Sequence, residues 1–311
     1  MPSLPRVLFY PVLQGVRLPR IAEMGELREL PGGPSTIGTL SEAERGAIEI
    51  LVTNAGLGCD ASVIAQLPAL RRVISTGAGL DKHDQAAMAA RGITLRPIGE
   101  AVTDDVADLT LALTLMTARS LVRADAFARS EWKTKRWAPG RSLVGATMGI
   151  AGISGRIGKA IAARAEAFKM KVVGLHRASA EGLGYELLPD LKALAAVSDF
   201  LVLALPGGAG MKHLIGKAEL EALGAEGTLI NIGRGTLVDT EALIEALEKG
   251  VIAAAGLDVV EGEPGVPERL AALPNVVLTP HIGAATWGAR TRGAAIAEGE
   301  VLAALGVTEP V

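Results

Sequence analysis

Short apolar runs, each followed by a glycine or polar turn and then an amphipathic stretch, recur along almost the whole of this 311-residue chain. Parallel strands need a crossover of a dozen or more residues, and helices used as crossovers cover both faces of the sheet. The alternation therefore predicts an α/β fold with parallel sheets and excludes all-α and all-β architectures. Expected strands in the first third are Val7–Tyr10, Ile50–Thr53, Val73–Ser75 and Ile93–Leu95. Six more follow: Gly149–Ala151, Val172–Leu175, Phe200–Leu205, Thr228–Ile232, Ala254–Val259 and Val276–Leu278. Six is the strand count of a complete dinucleotide-binding sheet.

The pattern breaks near Arg96–Pro97, where proline biases the preceding residue toward extended backbone. Two domains are expected, one made of residues 1–97 and 288–311 and the other of residues 98–287. The stretch Val102–Arg119 is apolar over much of its surface, as an interdomain helix would be. Its most apolar part, Leu109 to Ala118, is too short to span a bilayer. The alanine-rich Ala289–Leu305 reads as a helix packing back on the first domain.

The composition narrows the function classes. A hydrophobic fraction of 49% and a charged fraction of 21% fit a soluble globular protein. The net charge of −3, with both signs mixed along the chain, gives no footprint for nucleic acid or an anionic membrane. Cys59 is the single cysteine, so an intrachain disulfide and a cysteine metal cluster are both excluded; no metal is expected. That usage, with no signal peptide, fits the cytoplasm.

Met148–Ala160 reads MGIAGISGRIGKA, an apolar strand ending in glycines that open into a helical pattern. Taken alone it is either a structural turn or a cofactor loop. In this context it reads as the latter, with a pyrophosphate at the helix N-terminus beside Gly152, Ser154, Gly155, Arg156 and Ile157. The spacing Gly152, Gly155, Gly158 is one residue longer than G-x-G-x-x-G, and the Ser154 hydroxyl is a candidate phosphate donor. After Val172–Leu175, where an NAD site places an acid for the ribose, stand His176, Arg177 and Ser179. Lacking that carboxylate and offering a guanidinium fork, the site is expected to prefer NADP(H), with NAD(H) also usable.

Three later segments each end a strand with charged residues: NIGRGTLVDTEAL (Asn231–Leu243), AGLDVVEGEP (Ala255–Pro264) and VVLTPHIGAAT (Val276–Thr286). With VISTGAGLDKHD (Val73–Asp84), VTDDVADLTLAL (Val102–Leu113), the glycine loop and ALP…KHLIG (Ala204–Gly216), they resemble the D-isomer-specific 2-hydroxyacid dehydrogenase family. The resemblance runs in unbroken order from about Ile50 to Thr286. It implies a Rossmann dinucleotide-binding domain, a smaller flavodoxin-like substrate domain and a homodimer.

It also implies roles for individual residues. Arg234 would hold the substrate carboxylate and polarise the 2-oxo group. His281 would donate a proton to the carbonyl oxygen, with a buried Glu263 hydrogen-bonded to it. Gly77, Ala78 and Gly79 would bind the carboxylate through backbone N–H groups, while Leu205, Pro206, Ile232, Gly233, Asp258 and Gly283 would line the cofactor. Singly, each charged residue has an ordinary structural explanation: Glu261 rivals Glu263, and His83, His176 and His213 read as surface or turn residues. The sequence departs from the family at PIGE (Pro97–Glu100) and at GGAGM (Gly207–Met211), a plainer and more flexible loop over the cofactor. The expected activity is NADPH-dependent reduction of a small 2-oxo acid of the glyoxylate or hydroxypyruvate type. The alternatives are reduction of an aryl pyruvate such as hydroxyphenylpyruvate, or a non-catalytic cofactor-sensing module.

Overall fold

The computed structural model describes residues 4–10, 17–208 and 210–307. The chain divides into two compact units, one holding the residues up to Val102 with those from Ala284 onward, the other Thr103–Gly283.

In the first unit a parallel sheet comprises β1 (Val7–Phe9), β2 (Leu27–Glu29), β3 (Ile50–Asn54), β4 (Arg72–Thr76) and β5 (Thr94–Ile98). Its order is β2-β1-β3-β4-β5, the flavodoxin-like arrangement. Leu8, Leu51 and Val73 on neighbouring strands bury one face against helix residues Val63, Ile64 and Met88. The C-terminal helix Trp287–Ala304 belongs to this unit, where Glu300 Oε1 accepts from Arg96 Nε at 2.8 Å and Arg292 donates to the Ala101 carbonyl.

In the second unit the sheet comprises β6 (Thr147–Ala151), β7 (Lys171–Leu175), β8 (Glu186–Leu188), β9 (Phe200–Leu203), β10 (Thr228–Asn231), β11 (Ala254–Leu257) and β12 (Val276–Leu278). All pairings are parallel and the order is β12-β11-β10-β9-β6-β7-β8. This is the dinucleotide-binding order, with the direction of winding reversing between β6 and β9. The four central strands β6, β9, β10 and β11 are almost wholly buried, which explains their apolar runs. The helix Thr103–Ala118 packs on β11 and on the helix Arg156–Ala167; Arg164 of that second helix pairs with Asp104 and Asp108.

The strands differ from expectation in three ways. Leu27–Glu29 and Glu186–Leu188 are additional edge strands, only three residues long and without a fully buried residue, so they carry too little apolar pattern to be seen. The strand expected to stop at Leu95 continues through Pro97 to Ile98, because β5 is an edge strand and proline's missing N–H costs no ladder bond on the open side. The strands expected to reach Leu205, Ile232 and Val259 stop at Leu203, Asn231 and Leu257, where the backbone turns into loops.

Candidate active site

Aspartates close several helix starts: Asp60, Asp84, Asp190 and Asp239 each accept from backbone N–H groups of the first turn. The twelve-residue helix Arg156–Ala167 differs, because its N-cap is Gly155 and no side chain fills that place. The N–H groups of Ile153, Ser154 and Ile157 reach no acceptor among the described residues, so they are free to meet an anion.

Two glycines let this loop lie where it does. Gly152 has φ +102°, and a Cβ there would stand 2.5 Å from the Ala204 carbonyl oxygen, just beyond β9. A Cβ on Gly158 would stand 2.1 Å from the Gly152 carbonyl oxygen. Substitution at either would force helix, strand and turn apart. The extra residue, Ser154, bonds through Oγ to Ser179 Oγ at 2.9 Å, tying the glycine loop to the turn after β7. Arg177, exposed in that turn, donates to the His176 carbonyl at 2.9 Å. His176 Nε2 lies 3.1 Å from Glu181 Oε1, an exposed pair within the turn after β7. The sequence reading missed Glu181, since a turn residue outside the usual position carries no spacing signal.

Leu205, Pro206, Ile232, Gly233, Asp258 and Gly283 all follow C-terminal strand ends of the same sheet, where open α/β sheets gather their ligands. A Cβ on Gly233 would stand 2.6 Å from the Leu205 carbonyl oxygen, so the loops after β9 and β10 touch through backbone. Ala209, within Gly207–Met211, lies outside the described residues. The glycine cradle and the unpartnered N–H groups fit the close backbone approach and anion binding that a dinucleotide's pyrophosphate requires.

Arg234 follows β10 in a turn built by Asn231, whose Oδ1 accepts from Gly233 N (3.1 Å) and whose Nδ2 donates to the Arg234 carbonyl (2.9 Å). The guanidinium is half-buried, and its Nη1 donates to the Gly233 carbonyl at 2.7 Å. Gly235 has a separate task. A Cβ there would lie 2.0 Å from the Val260 carbonyl carbon, so only glycine lets this loop meet the one bearing Glu263.

His281 Nδ1 stands 2.8 Å from Glu263 Oε1. The rival, Glu261, is committed elsewhere: it accepts from His213 Nε2 at 3.0 Å and from Lys212 at 3.2 Å. The His213 hydrogen bond, helped by Lys212, holds the Glu261 carboxyl below the usual range. Glu263 was expected to be buried. It is instead 36% exposed beside a His281 that is 50% exposed, because both sit on loops beyond the strand ends.

His281 has φ +53°, a left-handed conformation rare for a residue with a side chain. Asp258 stabilises it. This carboxylate, on a residue 2% exposed, accepts from Thr279 Oγ1 (2.6 Å), Ile282 N (2.8 Å) and Gly283 N (2.9 Å), while its carbonyl accepts from His281 N (2.8 Å). Expected to line the cofactor, Asp258 thus spends its carboxylate on positioning the histidine turn.

In the first unit, Gly77, Ala78 and Gly79 follow β4, with Gly77 at φ +111°. Their three N–H groups reach no acceptor among the described residues. His83, four residues on and expected as a surface or turn residue, follows the turn at Asp81–Lys82 and is buried rather than on the surface.

A parallel sheet of dinucleotide-binding order, an open helix N-terminus behind a glycine loop and a histidine–carboxylate pair at the strand ends define an NAD(P)-dependent oxidoreductase. Residues 111–283 match the D-isomer specific 2-hydroxyacid dehydrogenase, NAD binding domain. The glyoxylate/hydroxypyruvate reductase A of Arabidopsis thaliana is 41% identical over 263 residues, covering 84% of each chain. The hydroxyphenylpyruvate reductase of Plectranthus scutellarioides is 40% identical over 241 residues, covering 77% of each. Among solved structures, the NADPH-dependent glyoxylate/hydroxypyruvate reductase of Sinorhizobium meliloti, in complex with NADP and malonate, superposes with a TM-score of 0.88 at 35% identity, covering 99% of this chain and 96% of that one. The protein belongs to the D-isomer specific 2-hydroxyacid dehydrogenase family, whose members named above reduce 2-oxo acids.

Proposed function

We propose that this chain reduces glyoxylate, hydroxypyruvate or a close analogue to the D-2-hydroxy acid, with NADPH preferred. The observation that carries the reading is the His281–Glu263 pair, 2.8 Å apart on the sheet whose glycine loop fits the dinucleotide. When bound, the nicotinamide supplies a hydride to the carbonyl carbon of the substrate. His281 gives its proton to the carbonyl oxygen, which becomes the hydroxyl, and Glu263 holds the ring and balances the imidazolium charge. Arg234 holds the substrate carboxylate and polarises the carbonyl, a task for a planar fork that lysine performs poorly. Gly77, Ala78 and Gly79 of the first unit offer backbone N–H groups suited to a carboxylate.

The NADPH preference rests on the exposed Arg177, with Ser154 and Ser179 joined beside it. Aryl-pyruvate reduction is the second reading, favoured by the Plectranthus scutellarioides relative. Among the described residues no helix is long and apolar enough to cross a membrane, and we place the enzyme in the cytoplasm. We also propose a homodimer, drawing on the exposed Leu121, Val122 and Trp132; sedimentation at monomer mass would refute it. Steady-state kinetics with glyoxylate, hydroxypyruvate, phenylpyruvate and hydroxyphenylpyruvate against both cofactors test the main reading. The highest kcat/KM should fall on glyoxylate or hydroxypyruvate with NADPH. Failure to turn over either would overturn it.

A further inference from the structure

The Gly77–Gly79 loop leaves the sheet at Ser75–Thr76 and rejoins helical structure at Asp84. Its middle is exposed or half-exposed, whereas the residues closing its base, Ser75 and His83, are 0% and 6% exposed. His83 Nε2 lies 2.9 Å from Ser75 Oγ across that base. Beside it the backbone of Cys59 pairs with the loop's far end: Cys59 N donates to the Lys82 carbonyl at 3.0 Å, and Asp84 N donates to the Cys59 carbonyl at 3.0 Å. Gly58 permits this approach, since a Cβ there would lie 2.0 Å from the Lys82 carbonyl oxygen.

His83 Nδ1 is buried and has no hydrogen-bond partner among the described residues. A neutral imidazole tolerates this best when Nε2–H donates to Ser75 and Nδ1 keeps only a lone pair. A second proton would create a buried N–H with no acceptor on a charged ring.

We propose that the Ser75–His83 hydrogen bond is a clasp that positions the Gly77–Gly79 loop for the substrate carboxylate and holds it only while the imidazole is neutral. The inference rests on the assignment of that loop to the substrate. Ser75 and His83 are positioning residues, because they act through the loop's shape.

The groups around His83 agree with a neutral ring. Burial pushes it below the ordinary histidine range, against the pull of Asp81. The Cys59 thiol is pushed up to about 12 by burial and stays uncharged. Asp60 and Asp84 spend their carboxylates on helix N-termini, and Arg91 donates to the carbonyls of Ile64, Leu67 and Pro68. Tyr10 is likewise held neutral by burial. With its folded value depressed, His83 loses neutrality only as pH falls below the ordinary histidine range, so the clasp weakens on the acid side.

The test is the pH dependence of KM and kcat with glyoxylate and NADPH for the wild type, His83→Leu, His83→Gln and Gly77→Ala, with NADPH binding followed by fluorescence as a check of folding. Glutamine carries an amide nitrogen near the Nε2 position and does not titrate, so it keeps the clasp if leucine fails to fold. At neutral pH His83→Leu is expected to raise the glyoxylate KM about tenfold, the scale of one buried hydrogen bond, with kcat and NADPH KM within about twofold of wild type. The wild-type KM should climb as pH is lowered toward about 5, whereas His83→Gln should keep a low and flat KM. An unchanged KM in His83→Leu, or an acid rise in His83→Gln matching wild type, would overturn the clasp. Gly77→Ala separates the two levels. If it raises KM while His83→Leu does not, the clasp fails alone; if it leaves KM unchanged, the loop's assignment fails and the clasp with it.

Discussion

Glu263 Oε1 lies 2.8 Å from His281 Nδ1, and His281 Nε2 has no partner among the described residues. The carboxylate therefore fixes the ring from one side and leaves the other nitrogen for the substrate oxygen. Replacing Glu263 with Gln should lower kcat about a hundredfold, with NADPH affinity unchanged. Glu261→Gln, which touches His213, Lys212 and Thr240, should cost less than about threefold. Equal losses in the two variants, read from initial rates, would reverse the assignment.

Asp258→Ala removes the carboxylate that three donors share and leaves the buried Gly283 N–H without its acceptor. We expect about 3 kcal/mol lower stability in urea unfolding, and a loss of kcat as the left-handed His281 turn relaxes. Stability and turnover both within error of wild type would contradict the positioning role.

At the adenosine end, Arg177→Asp should lower kcat/KM for NADPH about tenfold to a hundredfold and spare NADH. Glu181→Gln should act oppositely, because it removes the negative charge 3.1 Å from His176 Nε2. Competing cofactor kinetics give both ratios, and an unchanged ratio in Arg177→Asp would remove the case for the 2′-phosphate.

Gly235→Ala tests the backbone contact that lets the Arg234 and Glu263 loops meet. Its Cβ would fall 2.0 Å from the Val260 carbonyl carbon, so one loop must shift. The expected result is about 2 kcal/mol or more of destabilisation together with a lower kcat. A variant of wild-type Tm and activity would show that the loops are separable.

Much of this was legible in the chain, for reasons that differ by element. The buried strands β6, β9, β10 and β11 announce themselves because parallel sheets demand continuous apolar runs. Gly152 and Gly158 are legible because close backbone approach admits no other residue. The short edges Leu27–Glu29 and Glu186–Leu188 bury little and carry no such demand. The work of Asp258 and His83 depends on partners brought near by folding, Thr279 and Ile282 for one and Ser75 for the other, which no spacing rule encodes.

The central claim, that His281 is the proton donor of a 2-oxo acid reductase, is tested most directly by His281→Ala. Single-turnover oxidation of bound NADPH by glyoxylate should slow about a thousandfold while NADPH still binds with wild-type affinity. Turnover at the wild-type rate in that variant would contradict the account.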